Sequence, residues 1–425
     1  MTPILFGVFA GLVAINVPIA VSLGLAAIAA VIATDSVPIL VIAQKMFTAT
    51  DSFPLMAIPF FMVAGSLMDR GGISRRLIRL AKAMVGSISG GLALVTVMAS
   101  MFFAAISGSA PATVVAIGSI MIPAMIGQGY SKPFATATQA SAGYIGVIIP
   151  PSIPMITYGV VTGASIGGLF MAGFFPGMLI GVGLMTVAYF TAKKYGYIGD
   201  KPANSQEVVA AFRDAILALL MPIIILGGIY GGIFTPTEAA NVAVVYGLVV
   251  GMLIYRELTW SDIPQILKTS AVATAMVMLI IAAASAFGLL MTREMVPQAI
   301  ADFFLGLTAN KFVLLMLINV LLLIVGTFME TNAAIIILAP IFFPVIVSMG
   351  IDPIHFGIVM VVNLAIGIVT PPLGINLFVA CGLSKLPIEP VIKANWWYLA
   401  VSVFMLCVIT YLPELSLWLP NLLLK

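Results

Sequence analysis

The sequence predicts an all-α polytopic membrane protein. Of its 425 residues, 62% are apolar and only 8% are charged, whereas soluble domains carry about 25% charged residues. Met1–Thr34 contains no charge, and between Ala83 and Ala192 only Lys132 is charged. A membrane-spanning helix needs about 20 apolar residues, so such windows hold about 10 to 13 membrane segments. The period-two alternation of a membrane β-barrel does not occur in them.

The composition also excludes several classes of site. The net charge of +3 arises from 18 cationic and 15 anionic side chains, too few for a nucleic-acid-binding surface, so no nucleic acid partner is expected. A zinc site takes about three or four Cys or His ligands, and the chain has two cysteines and one histidine. We therefore expect no transition metal and no disulfide framework.

The first span is expected to be retained. The N-terminal sequence MTPILFGVFAGL has neither the basic start nor the small-residue cleavage site of a signal peptide. Residues 1–34 fit either one tilted helix or two short helices broken near Pro18.

Basic residues predict the orientation in the membrane. Eleven of the 18 cations fall in three stretches, at residues 70–82, 193–213 and 256–268. Because cytoplasmic loops are enriched in Lys and Arg, we expect all three stretches in the cytoplasm. The first stretch fits a solvated loop or an interfacial helix better than a substrate contact.

The sequence contains an internal duplication at a constant offset, the signature of a repeat architecture. Pro123 matches Pro344, and the interval between these two residues is called the repeat offset below. Upstream, Gly65-x-Leu-Met-x-Arg70 matches Gly288-x-Leu-Met-x-Arg293 at an interval that is two residues longer than the repeat offset. The segment 52–68 ends at the basic stretch 70–82, whereas its counterpart 269–291 starts after the basic Lys268, so the copies are expected to be inverted. We place the repeats at residues 1–205 and 206–425. The other matches at the repeat offset are Gly129 with Gly350, Ile145-Gly146 with Ile366-Gly367, and Pro150-Pro151 with Pro371-Pro372.

Each repeat predicts a re-entrant helical hairpin followed by a broken helix. The hairpins are expected near 96–128 and 313–349, and the broken helices near 134–165 and 355–383. Proline lacks an amide hydrogen, so Pro-Pro interrupts a helix, and the carbonyls it frees must face protein, water or an ion. Freed carbonyls with Ser, Thr and Asn oxygens suit a cation such as sodium, and a half-helix N-terminus suits an anion. Proline-kinked helices with close Gly and Ser packing are the structural alternative.

Four charged or titratable side chains are interpreted separately. Glu330, inside an otherwise uncharged window, has either a cation-site or gating role or a structural hydrogen bond. Arg293 either binds a carboxylate or sulfonate or acts as a snorkelling anchor. Glu238 fits the first turn of a helix capped by a neighbouring threonine. His355 fits an interfacial residue better than a proton relay.

Four ordered motifs resemble the large membrane (M) subunit of TRAP transporters, the DctM-like family. They are Phe234-Thr-Pro-Thr-Glu-Ala-Ala240, Ser107-Gly-Ser-Ala110, Ile149-Pro-Pro-Ser-Ile-Pro154 and Thr370-Pro-Pro-Leu-Gly374. The resemblance covers essentially the whole chain. It implies an elevator-type ion transporter fold and ATP-independent, sodium-coupled uptake of an organic anion across the bacterial inner membrane. The implied partners are a small four-helix membrane (Q) subunit, which is not expected to be fused to this chain, and a periplasmic substrate-binding (P) protein.

The resemblance also implies the site residues, with Na⁺ as the coupling ion and no other cofactor. Glu330 stands where many relatives carry aspartate. Sodium site one would use Ser107, Ser109, Gly143, Gly146 and Pro150. Sodium site two would use Gly326, Thr327, Glu330, Thr331, Gly367 and Thr370. The expected substrate contacts are Arg293, Ser109, Thr113, Asn332, Pro151 and Pro372.

Two other functions compete with this prediction. A stand-alone sodium/dicarboxylate symporter of related architecture would work without a binding protein. An intramembrane enzyme is the second, although the chain has no His-Glu-x-x-His and no Gly-Lys phosphate loop. The remaining candidate for an enzyme active site is a nucleophile–base pair of Ser109 and Lys132. We expect the protein not to be an enzyme.

Overall fold

The computed structural model describes residues 1–308 and 310–423, and every regular element in those ranges is a helix. The first ten helices are α1 Thr2–Ala14, α2 Ile19–Thr34, α3 Ile39–Thr50, α4 Ala57–Arg70, α5 Ile73–Val85, α6 Gly91–Ser107, α7 Ala110–Gly127, α8 Lys132–Gly143, α9 Ile153–Thr162 and α10 Ile166–Lys194. The other ten are α11 Ser205–Tyr230, α12 Pro236–Leu248, α13 Ile263–Arg293, α14 Val296–Leu307, α15 Lys311–Phe328, α16 Thr331–Ser348, α17 Pro353–Gly367, α18 Ile375–Ser384, α19 Ile388–Tyr411 and α20 Glu414–Leu423.

The predicted all-α polytopic fold is confirmed. Within the described ranges, nine helices are long and apolar enough to cross a membrane, and shorter apolar helices, many of them paired across breaks, accompany them. Residues 1–34 form two short helices, the second of the two alternatives. The break falls at Asn16, which has a φ of 64°, and Pro18, which precedes α2.

Local sequence explains where several helices begin. Asn204 and Glu207 form a reciprocal capping box at the start of α11. Thr235 and Glu238 do the same for α12, with Pro236 in its first turn. The Glu238 carboxylate accepts hydrogen bonds from the Thr235 amide and hydroxyl, both at 2.8 Å. Thr235 is therefore the N-cap of α12 and Glu238 lies in its first turn, as predicted.

Helix boundaries agree with the offsets found in the sequence. α7 begins at Ala110 and α16 at Thr331, which are separated by the repeat offset, and the starts of α8 and α17 are separated by the same interval. α5 begins at Ile73 and α14 at Val296. The starts of α5 and α14 are separated by the same interval as Gly65 and Gly288. This interval is two residues longer than the repeat offset, as in the sequence match. The division of the chain at residue 205 remains a prediction.

The largest difference between the matched segments lies in α13. This helix runs unbroken for 31 residues, whereas its counterpart is divided into α3, a 3₁₀ turn at Phe53–Met56, and α4. The dividing sequence is Asp51-Ser52-Phe53-Pro54. Asp and Ser compete for backbone hydrogen bonds, and proline disfavours helical geometry in the residue before it. The break is therefore encoded locally.

The three basic stretches meet at one end of the molecule, which we call the basic face. Most of its first stretch is the helix α5 rather than a loop, and its place at the membrane interface stays a prediction. Arg76 pairs with Asp214 at 3.3 Å and with Glu257 at 2.7 Å. Lys82 pairs with Asp200 at 2.8 Å, and its hydrogen bond lowers the pKa of that carboxyl below the ordinary 3.8. These ion pairs hold the segments on one side, as the predicted orientation requires.

Candidate functional site

The tip of the first hairpin is a compact group of hydroxyl and carbonyl oxygens. α6 ends at Ser107, Gly108 follows with a φ of 61°, and Ser109 precedes α7. The Ser107 hydroxyl lies 3.0 Å from the Thr113 hydroxyl, which donates to the Ser109 carbonyl at 2.9 Å. A positive φ is suited to glycine, so Gly108 allows the chain to reverse with these oxygens close together.

The first broken helix packs directly against this tip. A Cβ on Gly146 would lie 2.6 Å from the Ser109 carbonyl oxygen and would also meet the Thr113 hydroxyl. A Cβ on Gly108 would lie 2.9 Å from the Pro151 carbonyl oxygen, which brings the Pro150–Pro151 loop to the tip. The first tip and the first broken helix thus bring together Ser107, Ser109, Thr113, Gly146 and Pro151. Gly143 instead faces Val114 on α7.

The tip of the second hairpin is organised by a carboxylate. Glu330 is the N-cap of α16, and one of its oxygens accepts hydrogen bonds from the amides of Asn332 at 2.8 Å and Ala333 at 3.1 Å. Its other oxygen accepts from the Asn332 side-chain amide at 2.8 Å. Thr331 is buried beside it. The structural role of Glu330 is therefore visible, and its role at a cation site stays a prediction.

The second broken helix meets the second hairpin through two glycines. A Cβ on Gly367 would lie 2.5 Å from the backbone of Gly326, so α15 and α17 touch through backbone atoms. Thr327 follows Gly326 at this contact. The Thr370 hydroxyl donates to the Ile366 carbonyl at 2.8 Å. One cavity is lined by Phe328 and Met329 of the second tip and by Leu373, the residue after Pro372. The second tip therefore lies beside the Pro371–Pro372 break.

Sequence reasoning did not identify the side chains that satisfy the carbonyl freed at this break. Asn395 on α19 donates to the Val369 carbonyl at 2.9 Å and accepts from the Ser141 hydroxyl at 2.5 Å. Both side chains are buried. The sequence does show Asn395 as a polar residue within an apolar helix, which indicates a buried hydrogen bond. Nothing in the sequence indicates the partner of that bond.

A cavity of about 380 Å³ connects the first tip to the basic face. α4 and α13 form one wall, and the first hairpin forms the other. Asp69 and Thr269 lie at its basic-face end, next to Arg70 and Lys268 in the chain. The lining includes Gly65, Asp69, Ser107, Ser109, Thr269 and Ser270. The oxygens of the first tip are therefore accessible from the basic face.

A second cavity, of about 500 Å³, lies toward the other end of α13. Gly288 lines this cavity and Gly65 lines the first, and the two glycines are matched by the sequence repeat. Thr292, on the second cavity's wall, is about 33 Å along α13 from Ser270 on the first. The two cavities thus lie toward opposite ends of α13, and the inverted relation of the repeats stays a prediction. The second lining includes Lys45, Val160, Ser285, Gly288, Thr292 and Ile336.

Arg293 is not brought to the first hairpin tip. It is the last residue of α13 and is exposed, about 35 Å along the helix from Ser270 at the first cavity. Its neighbour Glu294 pairs with the N-terminal amine at 3.5 Å. In this conformation Arg293 lies at the end of α13 opposite the basic face, and its contact with substrate stays a prediction.

The structure excludes one alternative left open by the sequence and contradicts one expectation. Ser109 and Lys132 lie at opposite ends of α7, whose 18 residues span about 27 Å, so they do not form a nucleophile–base pair. His355 is buried rather than interfacial. Its Nε2 lies 3.2 Å from the Thr410 carbonyl, in a polar group between α17 and α19.

The donor set of the two tips is made of oxygen atoms. Carbonyl, hydroxyl and carboxylate oxygens are ligands for hard cations. Across residues 1–308 and 310–423, no three His, Cys, Asp or Glu side chains cluster where they could hold a metal ion. The tips are thus chemically suited to a monovalent hard cation such as sodium.

Comparison with known proteins relates the chain to one transporter family. Residues 6–415 match the family described as "Tripartite ATP-independent periplasmic transporter, DctM component". The chain is 51% identical over 417 residues to the isethionate TRAP transporter permease protein DctMQ of Oleidesulfovibrio alaskensis, covering 98% of this chain and 66% of that protein. It is 42% identical over 434 residues to the C4-dicarboxylate TRAP transporter large permease protein DctM of Rhodobacter capsulatus, covering 99% of each.

The fold is also similar to a solved transporter. The crystal structure of the YdaH transporter of Alcanivorax borkumensis superposes with a TM-score of 0.64, covering 89% of this chain and 87% of that one. The sequence identity is 16%, so the similarity concerns the fold alone.

Proposed function

The chain belongs to the DctM family, the large permease component of tripartite ATP-independent periplasmic (TRAP) transporters, and on that premise we propose that it imports an organic anion together with sodium. Two relatives are named for isethionate and for C4-dicarboxylates. Both are organic anions, so a carboxylate or sulfonate is the substrate class proposed for this chain.

One observation carries the proposal: two oxygen-rich hairpin tips, each packed on a broken helix, accompany cavities that lie toward opposite ends of the molecule. In membrane transporters, unwound backbone carbonyls bind coupling ions, and half-helix N-termini face anionic substrate groups. The tips supply both features. Sodium is proposed at Ser107 and Ser109 in the first tip and at Glu330 in the second.

We further propose an elevator movement for transport. α13 lines both cavities, with α4 beside it at the first cavity and α3 beside it at the second. The facing wall is the first hairpin at the first cavity, and α16 of the second hairpin with α9 at the second. Sliding of the hairpins and broken helices along α3, α4 and α13 would close one cavity as it opens the other. Because the first tip is accessible from the basic face, the conformation described here corresponds to an inward-facing state.

The proposed partners follow from the family. A small four-helix membrane (Q) subunit would bind this chain in the bacterial inner membrane, and a periplasmic binding (P) protein would deliver the anion. The relative named DctMQ is longer than this chain, which covers 66% of it. We place the basic face in the cytoplasm, following the positive-inside rule.

Uptake by the complete transporter in proteoliposomes tests this proposal. With both partners present, an inward sodium gradient is expected to drive accumulation of organic acids from a panel of carboxylates and sulfonates without ATP. Uptake driven by a proton gradient in sodium-free buffer would contradict sodium coupling. Uptake that is independent of the binding protein would favour a stand-alone symporter.

Ser107→Ala is expected to raise the sodium concentration needed for half-maximal uptake about tenfold. The substitution removes one hydroxyl oxygen from the first tip, and a bond from a neutral group to an ion contributes about 1.5–3 kcal/mol. Ser119→Ala is the matched control, because Ser119 lies on α7 and its hydroxyl donates to the Ala116 carbonyl. Unchanged sodium dependence in Ser107→Ala would remove this residue from the site.

A further inference from the structure

α9 contacts both hairpin tips, although it belongs to the first broken helix. At its start, the Ile153 amide donates to the carbonyl of Gly108 in the first tip at 3.3 Å. Ser107 and Ser109 flank that glycine. The N-terminal end of α9 is therefore fixed directly to the first candidate sodium site.

One turn later, Thr157 connects α9 to the second tip. Its side chain is fully buried, and its hydroxyl donates to the Asn332 side-chain oxygen at 3.0 Å. The orientation of Asn332 is fixed by Glu330, because an ionised carboxylate accepts hydrogen bonds and so must face the amide nitrogen. The oxygen of Asn332 therefore faces Thr157, whose single hydroxyl proton is shared between that oxygen and the Ile153 carbonyl at 3.1 Å.

The connection continues to the second candidate site. Asn332 donates to one Glu330 oxygen through its side chain and to the other through its backbone amide, both at 2.8 Å. A continuous path thus runs from the Gly108 carbonyl through α9 and Thr157 to Asn332 and the Glu330 carboxylate.

The position that matches Thr157 in the second repeat carries no hydrogen-bonding side chain. At the repeat offset, Thr157 corresponds to Phe378 on α18, a side chain that is 50% exposed and has no hydrogen-bond donor. The hydrogen bond from Thr157 is therefore specific to the first broken helix. The repeat architecture does not require a polar residue at this position.

We propose that α9 couples the two ion sites and that Thr157 is the positioning residue through which the coupling acts. The proposal rests on the sodium coupling proposed above. An ion bound at the first tip immobilises the Gly108 carbonyl and the start of α9. Thr157 then holds Asn332 in place, and Asn332 holds the Glu330 carboxylate in the geometry that binds the second ion. Each ion therefore strengthens the binding of the other, because such coupling is reciprocal.

Sodium titration of uptake by the complete reconstituted transporter tests the coupling. Wild-type uptake is expected to depend on sodium with a Hill coefficient above one. Thr157→Val keeps the side-chain volume but removes the donor, so the Hill coefficient should fall toward one and the half-saturating sodium concentration should rise at least about fivefold. Thr157→Ser keeps the donor and should restore the wild-type sodium response.

Thr186→Val is the matched control, because the Thr186 hydroxyl donates to the carbonyl of Val182 on its own exposed helix face. It should behave as wild type. Thr157→Ala provides a second variant that lacks the donor, in case valine prevents folding. Loss of stability alone would lower the amount of active transporter and leave the Hill coefficient unchanged.

The outcomes separate this proposal from the proposed function. Wild-type uptake without any sodium dependence would overturn both. A sodium-dependent wild type with a Hill coefficient of one would overturn the coupling alone. A wild-type Hill coefficient above one that Thr157→Val and Thr157→Ala both retain would exclude Thr157 as the coupling residue.

Discussion

Gly367→Ala is expected to abolish transport. The new Cβ would lie 2.5 Å from the Gly326 backbone, a separation that cannot be relieved by rotating a side chain because both partners are main-chain atoms. α15 and α17 would have to move apart, and overpacking of this kind costs about 1–3 kcal/mol of stability. The same displacement would move the second hairpin tip away from Thr370 and the Pro371–Pro372 break. Sodium-driven uptake and thermal unfolding of the purified complex measure the two effects.

Gly382→Ala is the matched control for this substitution. Gly382 lies on α18, which follows the same break, and a Cβ there would meet no atom within 4 Å. Alanine also favours a helix by about 1 kcal/mol relative to glycine, so this variant should be at least as stable as wild type and fully active. Normal uptake by Gly367→Ala would show that the close approach of α15 and α17 is not needed for transport.

The sequence was sufficient to predict the hairpins and breaks because their determinants are local. Proline and glycine act on the backbone within a few residues, so Pro150–Pro151 and Pro371–Pro372 indicate where the helices end. The constant repeat offset then relates the two copies. For the same reason the division between α3 and α4 follows from the residues around Pro54.

The contacts between the copies could not be predicted, because they depend on packing between distant segments. Thr157 and Asn332 are 175 residues apart, and neither has a sequence neighbour that indicates the other. The sequence alone could not exclude Lys132 as a base for Ser109, which the structure does because the length of α7 separates them. The burial of His355 similarly depends on α19, whose Thr410 carbonyl it meets.

Glu330→Asn is expected to preserve the fold and to remove most of the sodium affinity. Asparagine is about as good an N-cap as aspartate, whereas alanine costs about 0.5–2 kcal/mol at this position. The Asn variant therefore keeps the cap of α16 and loses the charge. Two opposite unit charges about 4 Å apart attract by about 4 kcal/mol at an effective dielectric constant near 20, or roughly a thousandfold in affinity. The half-saturating sodium concentration should accordingly rise at least about 100-fold.

Three variants at this one position separate the two roles of the carboxylate. Glu330→Asp keeps both the cap and the charge and should transport with a sodium dependence close to wild type. Glu330→Ala loses both, so it should unfold at a lower temperature and fail to transport. Glu330→Asn should unfold like Glu330→Asp but respond to sodium like Glu330→Ala. If it instead transports at wild-type sodium concentrations, Glu330 serves as a helix cap alone, and the second ion must be held by the neutral oxygens of Thr327, Thr331 and Thr370 and by the freed carbonyls around Gly367.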